Sequence, residues 1–266
     1  MREAITTSNA TPEPELILFD LTGAAPHRIS LTSALPTVTG PVAIDAATLA
    51  AGGAPGVIVD GSGVAGPDVD GFVLDGEVTL NGLSIVGMSG RGVEVVGAGA
   101  VVRDCWIGLE PDATAAGNLA GVYVAPTASA TILEGCRIGA NTNSGVFLDG
   151  PGSKLYDNAI GVGPQGQALG NGGFGVAVDD AAAADVNHVG EPGRGNEIAF
   201  NGNDGVIVQD LGVVRGNSIY DNTDLGIEVV STFSPAPNVG SIATDGSSTR
   251  VKGSVTFSGS TNTALT

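Results

Sequence analysis

The sequence predicts an all-β chain wound as a parallel β-helix, a solenoid of short strands with a brief helix over its N-terminal end. Three observations lead there. A five-residue phrase recurs, as GVYVA at 121–125, GVFLD at 145–149, GVAVD at 175–179, GVIVQ at 205–209 and GIEVV at 226–230. A second phrase alternates with it, as RDCWIG at 103–108, EGCRIG at 134–139, YDNAIG at 156–161 and GNSIY at 216–220. Finally, 43 of 266 residues are glycine, against seven Phe, three Tyr and one Trp, so the core must be thin and aliphatic. Self-similarity at this period is the mark of a repeat architecture, in which no unit buries its apolar face alone.

The elements follow in chain order. REAITTSN (2–9) reads as a short helix covering the open apolar end of the solenoid. ELILFDL (15–21), HRISLTS (27–33), VAID (42–45) and GVIVDGSG (56–63) alternate like strands and form the first coils. The leading glycines then fall at Gly71, Gly92, Gly121, Gly145, Gly175, Gly205 and Gly226. After each, period-two alternation sends Val93, Val122, Val146, Val176, Val206 and Ile227 inward, with Val95, Val124, Leu148, Val178, Val208 and Val229 as the next inward column. Each unit holds this strand, a second short apolar segment, a bend and a third strand. At the bend stand Gly82, Asp104, Gly135, Asp157, Gly195 and Gly216, residue types that tolerate a left-handed corner. Inward after the bend come Leu83, Cys105, Cys136, Asn158, Asn196 and Asn217, and the three asparagines are placed to hydrogen-bond as a ladder. STFSPAPNVGS (231–241) reads as a linker, and TRVKGSVTFSG (249–259) as an opening strand of something further. The division expected is 1–14 as cap, 15–230 as parallel β-helix, and 231–266 as linker with the first strand or strands of a following β domain.

Charge and composition narrow the function. A formal charge of −18, with ten Lys and Arg spread thinly, argues against nucleic acid as a partner, because phosphate binding needs a concentrated positive surface. No run is apolar enough for a membrane span. Cys105 and Cys136 are too few for a disulfide framework and lack zinc spacing; parallel side-chain vectors on adjacent coils make them buried thiols.

REAITTSNATPEPELILFDL, HRISLTSALPTVTGPVAID, the loops IGLEPDATAAGNLAGVYV and IGVGPQGQALGNGGFGVAV, and GNSIYDNTDLGIEV together make the chain similar to the right-handed parallel β-helix repeat proteins of bacterial secreted and surface polypeptides, within the pectin-lyase-like fold. The segment at 2–5 resembles the Leu-Arg-Glu-Ala-Ile start of one type in that group, with Met1 in place of the Leu. The resemblance implies export and attachment to further domains of the same polypeptide; Met1 in the Leu position, with the abrupt end, reads as an excised piece of such a polypeptide.

The same fold family includes pectate lyases, polygalacturonases and alginate epimerases, which work on the outward columns of the first sheet. Here one outward column reads Glu94, Tyr123, Phe147, Ala177, Ile207 and Glu228, and the next Val96, Ala125, Asp149, Asp179, Gln209 and Val230. Asp149 and Asp179 occupy neighbouring rungs, with Asp180 and Asp210 at strand ends, so a pair of carboxylates could share acid and base roles. GVAVDD (175–180) resembles the paired aspartates of polygalacturonases, but their Gly-His-Gly and Arg-x-Lys are missing, and His188 reads as part of a loop insertion. Arg137 and Lys154 are not on the first sheet, which leaves a lyase without its base. Calcium is the one cofactor that acidic turns would suit, and no metal-binding motif accompanies them. Loops 109–120 and 162–174 are placed to wall a groove, with Tyr123 and Phe147 as an aromatic floor for a sugar chain beside Glu94 and Gln209. With no complete catalytic set, the expected role is a module of a larger secreted or cell-surface protein, acting either as a rigid scaffold or as an adhesion or glycan-binding element, with polysaccharide or a cell-surface glycan as the candidate partner. The alternative is a polysaccharide lyase, epimerase or glycosidase using Asp149, Asp179 and Asp180.

Overall fold

The structure is a computed structural model that describes residues 1–50, 52–179, 185–209 and 212–230, together with the strands Asn238–Val239 and Ser254–Thr256. Twenty-four strands run in strict rotation through three parallel sheets, giving eight coils of three strands. Sheet 1 carries the Gly-Val phrase and includes Phe72–Asp75, Arg91–Val95, Ala120–Val124, Val146–Leu148, Val176–Val178, Val206–Val208 and Ile227–Val229. Sheet 2 holds the second apolar segment, from Glu15–Leu18 to Gly212–Arg215, and sheet 3 the strand after the bend, from His27–Ser30 to Ser218–Tyr220.

Register is fixed residue for residue. Val122 pairs with Val93 on one side and Val146 on the other, and the line continues through Val176, Val206 and Ile227. Every member of both inward columns is buried. Each such aliphatic side chain contributes roughly 1.5–3 kcal/mol on leaving water, so the columns are the main source of stability in a core where Phe72, next to Val93 in the first inward column, is a fully buried exception to the aliphatic rule. Helix α1 (Arg2–Ser8) closes the N-terminal end by laying Ile5, fully buried, onto this core.

The repeated glycine has a steric cause. A Cβ on Gly92, Gly121, Gly175 or Gly205 would come within 2.5–2.7 Å of the Cγ2 of Ile107, Ile138, Ile198 or Ile219, the isoleucine of that coil's third strand. The phrase therefore turns one backbone position into the core where no side chain fits, and the Val after it points inward as well. Inward–outward alternation is broken at that step.

Five of the six bend residues take the left-handed conformation, among them Asp104 and Asp157 at φ +52 and +56. Gly195 does not; it is glycine because a Cβ would lie 1.8 Å from the carbonyl oxygen of Gly216. Inside the same corner Asn158 Nδ2 donates to Asn196 Oδ1 (2.8 Å) and Asn196 Nδ2 to Asn217 Oδ1 (2.9 Å). A longer ladder, which pattern reading overlooked, crosses the corner between sheets 3 and 1. It runs through Asn118, Asn141, Asn171, Asn201 and Asn222, with amide–amide bonds of 2.8–3.1 Å. Both ladders satisfy corner N–H and C=O groups that the sheets leave unpaired.

Cys105 and Cys136 are free thiols buried on adjacent coils. Burial pushes the Cys105 thiol up to about 12 and the Cys136 thiol well above its ordinary value. Asn187–Val189 is a sheet 2 strand rather than part of a loop insertion: Asn187 and Val189 point inward and His188 aligns between Lys154 and Val213. Beyond the coils, Ser254–Thr256 pairs antiparallel with Gly212–Arg215 and with Asn238–Val239.

Candidate functional site

The outer face of sheet 1 carries a groove of about 650 Å³. Two columns of outward side chains build it. The mid-strand column aligns Glu94, Tyr123 and Phe147 in register, because Val93, Val95, Val122 and Val124 on either side are committed to the core. The second column consists of the residue just before each leading glycine. Since the glycine itself faces inward, its predecessor faces out, which places Arg91, Ala120, Ser144 and Phe174 along the groove.

Tyr123 and Phe147 form its floor as a tilted pair, ring centroids 5.7 Å apart at 51°. The guanidinium of Arg91 lies over the Tyr123 ring, 4.6 Å from the centroid, a cation–π contact. Its Nη1 is also held at 3.5 Å from Asp70 Oδ2 and 3.4 Å from Glu94 Oε1, while Asp70 Oδ1 accepts the Arg91 backbone N–H at 2.5 Å. At the other end of the ring, Tyr123 Oη donates to Asp149 Oδ2 at 2.9 Å. Burial first, then that bond to a carboxylate, push the Tyr123 phenol up to about 12, so it stays protonated at neutral pH. Burial also raises Glu94; Arg91 opposes the shift and Asp70 adds to it.

Of the residues singled out from sequence, Tyr123, Phe147 and Asp149 line the groove, and Glu94 reaches it through Arg91. Asp179 lies one coil beyond Asp149, its N–H donating to Leu148 O at 2.8 Å, and Gln209 one coil further, its N–H donating to Val178 O at 2.8 Å. Neither is among the groove-lining residues. Ala177 and Ile207, next in the outward column, are buried, so the open floor stops at Phe147. Asp180 and Asp210 lie outside the described residues. Among the described residues no three His, Cys, Asp or Glu side chains converge as metal ligands, and no helix is long and apolar enough to cross a membrane.

The loops do only part of what their position in sequence suggests. Their tips fold back over sheet 3: Leu109 bridges Ala115, Val162 bridges Ala168, Ser84 Oγ donates to Leu109 O at 2.7 Å, and Arg137 Nη1 donates to Val162 O at 2.7 Å. Only their returning legs, at Leu119–Ala120 and Gly172–Phe174, wall the groove. Pattern reading missed Arg91, Asp70 and Phe174. The signal was present, since all three stand immediately before a leading glycine, but strict alternation would have turned Arg91 inward beside Val93.

The face offers ring planes for stacking, one protonated phenol, several carboxylate acceptors and one guanidinium already engaged on both of its near carboxylates. That set can hold a chain of sugars by ring contact and by accepting hydroxyl hydrogens.

By structure, the chain is similar to the A-module of the Azotobacter vinelandii mannuronan C-5 epimerase AlgE6, with a TM-score of 0.59 and 18% identity over 86% of this chain and 67% of that one. The AlgE4 A-module from the same organism gives a TM-score of 0.54 and 17% identity over 86% of this chain and 68% of the other. The Dettilon tailspike protein gives 0.59 and 15% identity over 93% of this chain but only 44% of its own. At such identities the likeness is one of fold. No curated protein matches by sequence. The model of the right handed β-helix region matches residues 38–255. With most of its length covered by that match and eight coils built to its pattern, the chain belongs to the right-handed β-helix family.

Proposed function

We propose that this chain is a rigid β-helix module that holds a polysaccharide in the groove of sheet 1 without turning it over, as part of a larger exported or surface polypeptide. The observation that carries the reading is the Tyr123–Phe147 pair, two tilted rings on the floor of an open groove rimmed by carboxylate and amide groups. Rings in an open groove stack on the apolar faces of sugars, and neighbouring acceptors fix orientation. The structural neighbours support a glycan as partner: two of the named ones are A-modules of two epimerases of mannuronan, a polysaccharide.

The test is retention of the chain by polysaccharides in affinity electrophoresis, together with an assay for released or altered sugar. Tyr123→Ala and Phe147→Ala each lower the affinity by about five- to thirtyfold, the loss of one stacking contact. Retention unchanged in the double variant would remove the groove from the reading.

The second reading is an enzyme. It has one specific observation in its favour, the crowding of Tyr123, Asp149, Arg91, Glu94 and Asp70 on one face. Turnover of any polysaccharide, lost in Asp149→Asn or Asp179→Asn with binding intact, would replace the first reading by this one.

A further inference from the structure

We infer that the groove takes an uncharged polysaccharide and turns away polyuronates; this rests on the glycan-binding reading above and specifies its ligand. Sugar chains rich in uronic acid carry a carboxylate on each residue, and a site for them must offer cations free to pair with those groups. This groove offers the reverse. Asp68 and Asp149 line it directly, and Asp70 and Glu94 stand behind its guanidinium. Four carboxylates thus face one cation.

That cation is already paired. Arg91 is the only Lys or Arg on a sheet 1 strand among the described residues. Its Nη1 lies 3.5 Å from Asp70 and 3.4 Å from Glu94, and its guanidinium carbon lies over the Tyr123 ring, so its single charge is already balanced by two carboxylates before any uronate arrives. The other described lysines and arginines belong elsewhere: Arg28 and Arg137 to sheet 3, Arg103, Lys154 and Arg215 to sheet 2, Arg2 to α1, and Arg194 to a turn where it pairs with Glu134 and Asp157. The whole chain adds to the local effect, since a formal charge of −18 repels a polyanion before contact. Uncharged sugars meet no such barrier. Their hydroxyls donate to Asp68 and Asp149, and their ring faces lie on Tyr123 and Phe147. The fold it shares with mannuronan epimerase modules therefore does not carry their substrate's charge with it.

The experiment is affinity electrophoresis of the whole chain through gels holding a panel of neutral glucans, mannans and galactans, or polygalacturonate, or polymannuronate, each with EDTA and with millimolar calcium. Retention by at least one neutral polymer is expected, at least about tenfold stronger than by either polyuronate, and weakened about five- to thirtyfold in Tyr123→Ala. Raising the salt from about 20 mM to about 0.3 M leaves the neutral retention unchanged, because no ion pair is made. The variant Asp68→Asn/Glu94→Gln/Asp149→Asn narrows the tenfold gap by strengthening polyuronate retention. Its melting curve reports any loss of fold separately from the change in retention. Polyuronate retention equal to or above every neutral polymer, in either calcium condition and weakened in Tyr123→Ala, overturns this inference and leaves glycan binding standing. No retention by any polymer overturns both.

Discussion

Glycine 92 and its counterparts decide what faces the solvent around them. Because the Cβ position of Gly121 points at Ile138 and lies 2.2 Å from the carbonyl oxygen of Gly145, the coils stack only when that place carries no side chain. Gly121→Ala should therefore lower unfolding stability by about 1–3 kcal/mol, the usual cost of overfilling a packed core, readable from denaturant midpoints. A change below a few tenths of a kcal/mol would show that the coils can part without cost. Its counterpart Gly92 explains why alternation alone does not find Arg91. Counting back by twos from Val95 places Arg91 in the core, while the structure has it over Tyr123. A residue's direction is set by the backbone turn beside it as much as by alternation.

At the scale of the element, the asparagine ladders hold the corners that the sheets cannot. Asn171 donates through Nδ2 to Asn201 Oδ1 at 2.9 Å and accepts from Asn141 Nδ2 at 2.8 Å, all three side chains buried. Asn171→Ala removes both bonds together with those that its side chain makes to the Asn141 backbone N–H and the Ile138 carbonyl, and leaves these buried corner groups short of a partner. We expect a loss of about 2–4 kcal/mol, measured by chemical unfolding. An exposed neighbour, as in Thr142→Ala, should cost less than about 0.5 kcal/mol. Equal effects at the two positions would deny the ladder its role. One ladder was legible in sequence because Asn158, Asn196 and Asn217 hold a fixed place two residues before an isoleucine. The other was not, because loop 162–174 intervenes and Asn171 stands eleven residues beyond Ile160, where its neighbours Asn141 and Asn201 follow their isoleucines by three.

The whole molecule behaves as a stack with two ends. Helix α1 covers the first coil through Ile5, which is fully buried. Ile5→Ala should cost about 2–5 kcal/mol, and Ile5→Asp should in addition expose the apolar end and drive self-association, seen by sedimentation. A monomeric Ile5→Asp chain with an unchanged melting midpoint would mean that the helix is ornamental to the stack. The length of the solenoid also sets the site. Coils at a spacing of ~4.8 Å place side chains from three successive turns in one groove, though they come from Arg91, Tyr123 and Phe147, 56 residues apart along the chain.

By itself, the sequence determined the coil, the inward columns and the outward alignment of Glu94, Tyr123 and Phe147, because a repeated phrase in a parallel stack puts like positions side by side. Tertiary structure alone decided which of those outward residues lie open, since that depends on loops whose tips fold away over sheet 3 and whose returning legs bring in Phe174. It also decided that Arg91 belongs to the groove and that Asp70 and Glu94 hold it. Both outcomes arise from contacts between turns of the chain, and periodicity within one strand carries no record of them.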